Sequence, residues 1–225
     1  MWQEEEIQPY LEKYNINHLH YMTHIDNILS IQQKGILCHN LVGSTSHCQI
    51  DNTDVQQIRA QKKVPYTNNT LHSYVPLYFA THTPMQYVVT QGKDAVIKEE
   101  DLVFIDLDPL KIFQMEGVTI SDGNSAHQDT SFYHEINGLD KLNWDVIATP
   151  NCYSKTYKRQ KMAEVLVPRL IPVNCFSRIV CKSKQVGENI FNVIHENLEQ
   201  LPVETQKHLK ANVKIHINPS PSYYY

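Results

Sequence analysis

The pattern of apolar and polar positions predicts a buried strand around residues 162–167 that carries a single acid. In extended chain Met162, Glu164 and Leu166 share one face, and the apolar residues between them share the other. A carboxylate between two apolar faces must be paired, hydrogen-bonded or neutralised, because desolvating a bare charge is costly. The pattern alone favours a structural anchor over a catalytic acid, since structural ion pairs also bury carboxylates.

The other segments alternate between short strands and short helices. They predict a strand running into a capped helix over 20–35, a helix over 54–63, a strand over 74–81, a helix beginning at Thr83 and Pro84, strands over 102–106, 118–120, 145–148, 178–181 and 213–217, a helix over 188–198, and a flexible tail over 219–225. The sequence has neither regular strand–helix–strand spacing nor a G-x-G-x-x-G motif, which argues against a doubly wound dinucleotide fold. We therefore predict an α+β fold.

Two of the predicted helices carry candidate ligand groups. Thr23 followed by Asp26 predicts a capped helix start, whose free N–H groups suit a carboxamide or a phosphate. On the pattern alone, an ordinary strand-to-helix turn is favoured at this point. The helix over 54–63, with Asp54 as its expected cap, places Arg59 and Lys63 on one basic ridge. Such a ridge is usually solvated, so by itself it indicates no ligand.

Composition narrows the class of protein. The chain has 225 residues, of which 41% are hydrophobic and 20% charged, and its formal net charge is -4. We expect one domain over 1–225 with its core over about 18–218. The sequence has no apolar run of membrane-spanning length, and its start is acidic where a secretory signal would be basic, so the expected location is the cytoplasm. The mild acidity restricts any nucleic-acid contact to a local basic groove.

Cysteines and histidines give no metal signal. The five cysteines are scattered without a C-x-x-C pair, so we expect reduced thiols. The twelve histidines include no H-E-x-x-H motif, and we expect no metal cofactor.

Five segments, taken together, resemble the DarT family in order and rough spacing. They are YMTHIDNI over 21–28 with GIL over 35–37, Arg59 with VP at 64–65, LHSYVPLYF over 71–79 with PM at 84–85, SDGN over 121–124, and AEVLV over 163–167. DarT is the toxin of a bacterial toxin–antitoxin pair and uses NAD to ADP-ribosylate thymidine in single-stranded DNA. The resemblance implies an ADP-ribosyltransferase fold with a split, mostly antiparallel sheet decorated by short helices. It also implies NAD as co-substrate, and single-stranded DNA and a macrodomain antitoxin as partners.

The resemblance implies roles for individual residues as well. Glu164 and Arg59 match the catalytic glutamate and arginine of the family. Contacts to NAD are expected from Thr23, His24, Asn27, Tyr78, Met85 and His127. Contacts to DNA are expected from an aromatic and basic segment, namely Tyr153, Tyr157, Lys158 and Arg159. Each of these residues also has a structural alternative, which is helix capping, core packing or a solvated surface position.

The expected reaction accounts for the catalytic pair. Loss of nicotinamide leaves an oxocarbenium-like centre, which a fixed carboxylate can stabilise while it orients the ribose hydroxyls. Thymine N3 is a poor nucleophile until its proton leaves, and a guanidinium can stabilise the resulting anion. Whether Arg59 or Glu164 handles that proton stays open. Because N3 is paired in a duplex, we expect a single-stranded substrate.

One departure from the family pattern concerns the residues around the acid. The family usually has RQAEFL, whereas this chain has KMAEVL over 161–166. The glutamate and its flanking pattern are kept, so we expect activity, while the preferred base and flanking sequence stay open. Two other interpretations also stay open. In the first, the same fold modifies guanine, RNA or protein. In the second, the chain is a non-catalytic nucleic-acid-binding module that uses only the basic ridge.

Overall fold

The computed structural model of the protein describes residues 1–43, 47–50, 53–92, 95, 97–150, 154–218 and 223–224. In these ranges the strands are β1 Leu19–His24, β2 Ile36–Leu37, β3 Tyr74–Tyr78, β4 Leu102–Leu107, β5 Thr119–Ser121, β6 Phe132–Tyr133, β7 Glu164–Pro168, β8 Leu170–Ile171, β9 Phe176–Cys181 and β10 Lys214–Ile217. The α-helices are α1 Glu4–Lys13, α2 Ile28–Lys34, α3 His39–Val42, α4 Thr53–Gln61, α5 Pro84–Gln91, α6 Pro109–Phe113, α7 Trp144–Ala148, α8 Lys155–Lys161, α9 Lys184–Glu196 and α10 Val203–Asn212.

Eight strands form one sheet in the order β10-β9-β4-β1-β3-β7-β5-β6, and β2 pairs with β8 in a separate two-stranded sheet. Every strand pairing in the described ranges is antiparallel except that of β9 with β10. The predicted α+β class with a mostly antiparallel sheet is therefore confirmed. None of the described helices has the length and apolar character needed to cross a lipid bilayer.

The large sheet is split between β1 and β3. Within the described chain these strands pair only at His20 and Tyr78. By contrast, β1 pairs with β4 along its whole length, and β3 pairs with β7 in the same way. Pro76 lies in the part of β3 that has left β1, so its missing N–H removes no hydrogen bond from that side. The split leaves room for a cavity between the diverging strands.

The two faces of the large sheet differ in character. One face carries aliphatic residues of the main core, including Ala163, Val165 and Val167, as the alternation in this segment predicts. The opposite face carries a polar row whose members are register partners on five neighbouring strands, namely Glu164, Tyr78, His20, Asp106 and Arg178. The buried acid at 164 is therefore one end of a polar row that crosses the sheet.

The predicted strand-to-helix unit over 20–35 is confirmed, but its cap is a different residue. A 3₁₀ turn over Ile25–Asn27 leads into α2, and His24 Nδ1 accepts a hydrogen bond from the Asp26 N–H at 3.2 Å. Thr23 Oγ1 instead accepts from the Asn27 side chain at 3.0 Å. Gly35 ends the helix with a φ of 77° and lies so close to the Ile171 carbonyl that a side chain would clash.

Two local predictions are wrong. Residues 145–148 belong to helix α7 and not to a strand, because the Asn143 side chain accepts a hydrogen bond from the Val146 N–H and so begins a helical turn. Asp54 lies within the first turn of α4 and not at its cap. An acidic residue in that turn still complements the positive end of the helix dipole.

Both chain ends contribute to the packed interior. Helix α1, which precedes the core boundary expected near residue 18, places Ile7 and Leu11 in the main core. Tyr223 and Tyr224 are 6% and 1% exposed, which differs from the flexible tail expected over 219–225. The Tyr224 hydroxyl lies 3.1 Å from the carbonyl oxygens of both Leu102 and Val180 and can donate to either. Buried tyrosines need such partners, and the sequence gives no local signal for them.

The centre of the polar row is a buried charge network around Asp106. Its carboxylate accepts from His20 Nδ1 at 2.6 Å, Arg178 Nε at 2.6 Å and the Tyr223 hydroxyl at 2.7 Å. Burial raises the pKa of Asp106, but the hydrogen bond and charge of His20, with the bonds from Tyr223 and Arg178, outweigh burial and lower it from 3.8 to about 2. Asp106 therefore stabilises the fold as an anion.

We expect Asp106→Asn to lower the free energy of unfolding by roughly 2 to 4 kcal/mol at pH 7, since it leaves the partners of a buried charge unpaired. Because the pKa of Asp106 is lower in the folded than in the unfolded protein, its ionised carboxylate contributes stability at pH values above the unfolded pKa near 4. This contribution is lost as the pH falls toward about 2. The difference between wild type and variant should shrink over that window. Denaturant titrations at several pH values measure it, and a difference independent of pH would contradict this account.

Candidate active site

A cavity of about 430 Å³ lies where β1 and β3 diverge. It is lined by residues of β1, β3, α4 and α5, by the segment 47–50, and by Glu164 at the start of β7. Asn27 holds the segment 47–50 in place, because its side chain accepts from the Cys48 N–H at 2.7 Å and donates to the Cys48 carbonyl at 2.9 Å. The volume is in the range of cavities that bind small molecules and cofactors.

Arg59 and Glu164, remote in sequence, meet at this cavity, as predicted. Arg59 Nη1 lies 3.4 Å from Glu164 Oε2, and the two side chains are 8% and 1% exposed. Ser125 lies between them: its hydroxyl accepts from Arg59 Nη1 at 2.8 Å and donates to Glu164 Oε2 at 2.6 Å. The Ser125 N–H donates to Glu164 Oε1 at 3.1 Å. The result is a buried Arg–Ser–Glu cluster that holds an acid in one orientation.

The backbone of Glu164 is fixed as well as its side chain. Glu164 begins β7 and pairs with Tyr78 on one side and Ser121 on the other. Its N–H also donates to the Ser121 hydroxyl at 3.2 Å. Main-chain and side-chain atoms of the acid are therefore both held by neighbours, which is the preorganisation that electrostatic catalysis requires.

Arg59 departs from the solvated ridge that its helix pattern suggested. Its side chain is buried, whereas Lys63 is exposed. Arg59 Nη2 is buried and has no hydrogen-bond partner among the described residues. A buried guanidinium N–H without a partner is costly, so this atom is a donor ready for an acceptor atom of a ligand.

A second cation, Lys62, lies beside the pair just beyond α4. Its Nζ donates to the His127 carbonyl at 2.6 Å and lies 5.2 Å from the centre of the Phe132 ring. Burial lowers the pKa of Lys62, and the charge of Glu164 opposes this shift. Lys62 thus joins helix α4 to the segment that follows β5.

Four of the six residues expected to contact NAD line the cavity, namely Thr23, Asn27, Tyr78 and Met85. The Tyr78 hydroxyl lies 3.4 Å from Met85 Sδ, so these two form one wall. His24 is not among the lining residues and caps the turn before α2. His127 is also outside the lining, and its half-exposed ring accepts from the Asp129 N–H.

The residues expected to contact DNA fall into three groups. Tyr157 and Lys158 are exposed on α8. Arg159 is 11% exposed, and its Nη1 donates to Asp122 Oδ1 at 2.7 Å, so it holds the segment after β5. Tyr153 lies outside the described residues. A role of these residues in DNA binding stays a prediction.

Ser125 is the functional residue that sequence reasoning missed. It follows directly after the SDGN motif over 121–124, which is one of the segments that carry the family resemblance. A turn with a glycine beside a polar run is the available signal, and it does not identify the residue that reaches the acid. Ser125 is identified only by the structure, in which the segments that carry Arg59, Ser125 and Glu164 come together.

Among the residues that the structure describes, this site has neither a group of metal ligands nor a disulfide. In the described ranges no group of three or more His, Cys, Asp or Glu side chains could hold a metal ion. The described cysteines, Cys38, Cys48, Cys175 and Cys181, are free thiols. Burial raises the pKa of Cys175 and Cys181 to about 11, which keeps both thiols protonated and unreactive.

The mostly antiparallel sheet is split at a cavity where a buried glutamate lies beside an arginine, and this fits the ADP-ribosyltransferase fold that the family resemblance implies. In fold this chain is similar to the solved structure of Thermus sp. 2.9 DarT in complex with ADP-ribosylated ssDNA, with a TM-score of 0.81 and 22% identity over 94% of this chain and 97% of that chain. The sequence profile described as "ssDNA thymidine ADP-ribosyltransferase, DarT" matches residues 20–225. The chain belongs to the DarT family.

A second structure of the same Thermus protein and one further relative extend the comparison. The structure of Thermus sp. 2.9 DarT in complex with NAD+ matches with a TM-score of 0.73 and 22% identity, over 93% of this chain and 98% of that chain. A DNA ADP-ribosyl transferase–DNA ADP-ribosyl glycohydrolase fusion protein from Thermosipho africanus is 29% identical over 194 residues, which are 83% of this chain. The match covers 48% of the fusion protein, so this chain spans about half its length.

Proposed function

We propose that this protein transfers ADP-ribose from NAD to a thymine base in single-stranded DNA. The observation that carries the proposal is the buried Arg59–Ser125–Glu164 cluster at the cavity of a DarT-family chain. The Thermus protein has been solved with NAD+ and with ADP-ribosylated single-stranded DNA, which supports this donor and this acceptor. The thymine base is the acceptor named for the family.

The cavity suits the donor. Tyr78 and Met85 offer an aromatic and thioether wall for the flat nicotinamide ring, and Thr23 and Asn27 lie on the β1 side of the same cavity. Glu164 is the buried acid at this cavity, and a carboxylate has about four acceptor positions. The contacts from Ser125 and Arg59 leave capacity for a ribose hydroxyl.

The Glu164 carboxylate and the Arg59 guanidinium act on different parts of the proposed reaction. When the bond between ribose C1′ and nicotinamide breaks, the electron pair leaves with nicotinamide, and the Glu164 carboxylate stabilises the positive charge left on the ribose. The proton of thymine N3 passes to the Glu164 carboxylate or to solvent, and N3 forms the new bond to C1′. Arg59 Nη2, buried and unpartnered within the described chain, can donate to the oxygen of the thymine anion as its charge develops.

Mass spectrometry tests the proposal directly. The protein is incubated with NAD and single strands that each contain one kind of reactive base, with duplex DNA, RNA and a carrier protein in parallel. We expect a gain of one ADP-ribosyl group only on thymine-containing single strands, with release of nicotinamide. Modification of guanine, RNA or protein would show that the acceptor is not thymine in single-stranded DNA. Binding of DNA without nicotinamide release would favour the non-catalytic module.

A protein that modifies DNA bases requires a partner that removes the modification. The Thermosipho relative joins a transferase to a DNA ADP-ribosyl glycohydrolase in one chain. We propose that this protein acts as a toxin in the bacterial cytoplasm, where NAD and DNA are both present, and that a separate macrodomain glycohydrolase neutralises it. Expression alone should arrest growth, and co-expression of such a glycohydrolase should restore it.

Helix α8 is the proposed contact for the DNA strand. Tyr157 is 47% exposed and adjoins the exposed Lys158, so the pair can offer a stacking ring and a phosphate contact. We expect Tyr157→Ala to weaken oligonucleotide binding about tenfold, since one base–aromatic stack contributes about 1–3 kcal/mol. NAD hydrolysis without DNA should not change. Tyr66→Ala, at a tyrosine that is 96% exposed, is the matched control, and equal losses of binding and hydrolysis in Tyr157→Ala would contradict the proposal.

A further inference from the structure

We infer that Ser125 is a positioning residue of this active site, which fixes the Glu164 carboxylate and links it to Arg59. The inference deepens the proposed function and rests on it. Both polar groups of Ser125 act on the same acid, because its N–H donates to Oε1 at 3.1 Å and its hydroxyl donates to Oε2 at 2.6 Å. One residue therefore engages both carboxylate oxygens.

The chemistry of the three groups fixes the direction of these bonds. A guanidinium can only donate, so the Ser125 hydroxyl accepts from Arg59 Nη1 at 2.8 Å. A hydroxyl has a single proton, which then goes to Glu164 Oε2. This order is consistent with an ionised acid beside a charged arginine, which is the state that stabilises a cationic transition state.

The direct contact between Arg59 and Glu164 does not by itself hold the carboxylate in one orientation. The distance from Arg59 Nη1 to Glu164 Oε2 is 3.4 Å, longer than the usual N–H···O hydrogen bond of about 2.7–3.2 Å. The two bonds through Ser125 are both shorter. A glutamate side chain also has substantial rotamer entropy, and the Ser125 clamp selects one rotamer before NAD binds.

The segment that carries Ser125 is itself anchored to the helix that precedes Glu164. Arg159 of α8 donates to Asp122 Oδ1 at 2.7 Å, and the Arg159 carbonyl accepts from the Asn124 N–H at 2.9 Å. A side chain on Gly123 would come within 2.8 Å of that same carbonyl, so the close approach needs glycine. This connection therefore fixes the position of Ser125 relative to Glu164.

Thr119 provides a matched comparison outside the cluster. Thr119 and Ser125 are both 0% exposed, and Thr119 does not line the cavity. The Thr119 hydroxyl contacts His134 Nδ1 at 3.1 Å, whereas the Ser125 hydroxyl contacts the Glu164 carboxylate. Loss of either hydroxyl removes a hydrogen bond of a buried residue, but only the loss at Ser125 frees the acid.

The test compares Ser125→Ala, Ser125→Cys and Thr119→Ala with wild type. Steady-state kinetics follow nicotinamide release and oligonucleotide modification, and thermal unfolding reports folding. We expect Ser125→Ala to lower kcat by roughly 10- to 100-fold with KM for NAD within about threefold, because a misplaced catalytic group costs up to about 10² in rate. Ser125→Cys fills the same space but is a weak donor, so we expect a similar loss. Thr119→Ala should unfold at a lower temperature and keep kcat within about threefold.

The outcomes separate this inference from the proposed function. If Ser125→Cys retains the wild-type kcat, or if Ser125→Ala behaves like Thr119→Ala, Ser125 only fills space and the inference is overturned. If wild type releases nicotinamide in a Ser125-dependent manner but modifies no thymine, the acceptor proposal is wrong while the role of Ser125 is supported. If kcat is unchanged and only KM rises, Ser125 contributes to NAD binding and does not position the acid.

Discussion

Glu164→Gln should abolish transfer of ADP-ribose, with kcat reduced by roughly 10³-fold or more. Glutamine keeps the size of the side chain but removes the negative charge that we propose stabilises the oxocarbenium-like centre. Its amide NH₂ also meets the N–H and hydroxyl donors of Ser125, which already converge on the two carboxylate oxygens. At least one donor then loses its acceptor. Oligonucleotide modification and nicotinamide release measure the effect in parallel.

Asp106→Asn is the matched control for this prediction. Asp106 is a second buried carboxylate in the same polar row, but it does not line the cavity. Its substitution should lower stability and leave kcat within a few-fold of wild type. A Glu164→Gln variant that folds and keeps more than a tenth of the wild-type kcat would remove Glu164 from the chemistry.

Much of the fold is predictable where one residue pattern decides it. The alternation over 162–167 places Val165 in the main core and Glu164 on the opposite face, because strand side chains alternate whatever the neighbouring strands are. Thr83 caps α5 through its hydroxyl, 3.2 Å from the Gln86 N–H, with Pro84 as the first helical residue. Such signals are local, so they predict an element without knowledge of the tertiary structure.

The site is less predictable because its parts are held together by long-range contacts. Arg59 and Glu164 are individually ambiguous, and only the family resemblance brings them together before the structure is known. Ser125 has no pattern of its own, since its partners lie 66 and 39 positions away in sequence. Helix α1 is not among the predicted elements, although three glutamates in its first turn and Lys13 in its last are favourable for a helix.

Arg59→Lys should reduce kcat by roughly 100-fold even though it keeps the positive charge. The guanidinium engages Ser125 and Glu164 through Nη1 and retains Nη2 as a second buried donor. A lysine ammonium is a single point of charge and cannot serve both positions with the geometry of the planar fork. The loss should appear more strongly in DNA modification than in NAD hydrolysis, because we propose that Nη2 acts on the thymine anion.

Lys63→Ala separates this effect from a general loss of positive charge. Lys63 lies on the same predicted ridge, but it is exposed and does not line the cavity. Its removal should leave kcat unchanged within about twofold. If Arg59→Lys modifies DNA at the wild-type rate, charge alone is sufficient at position 59, and the fork geometry has no part in the reaction. If modification and hydrolysis fall equally, Arg59 acts on the donor half of the reaction through Glu164 and not on the base.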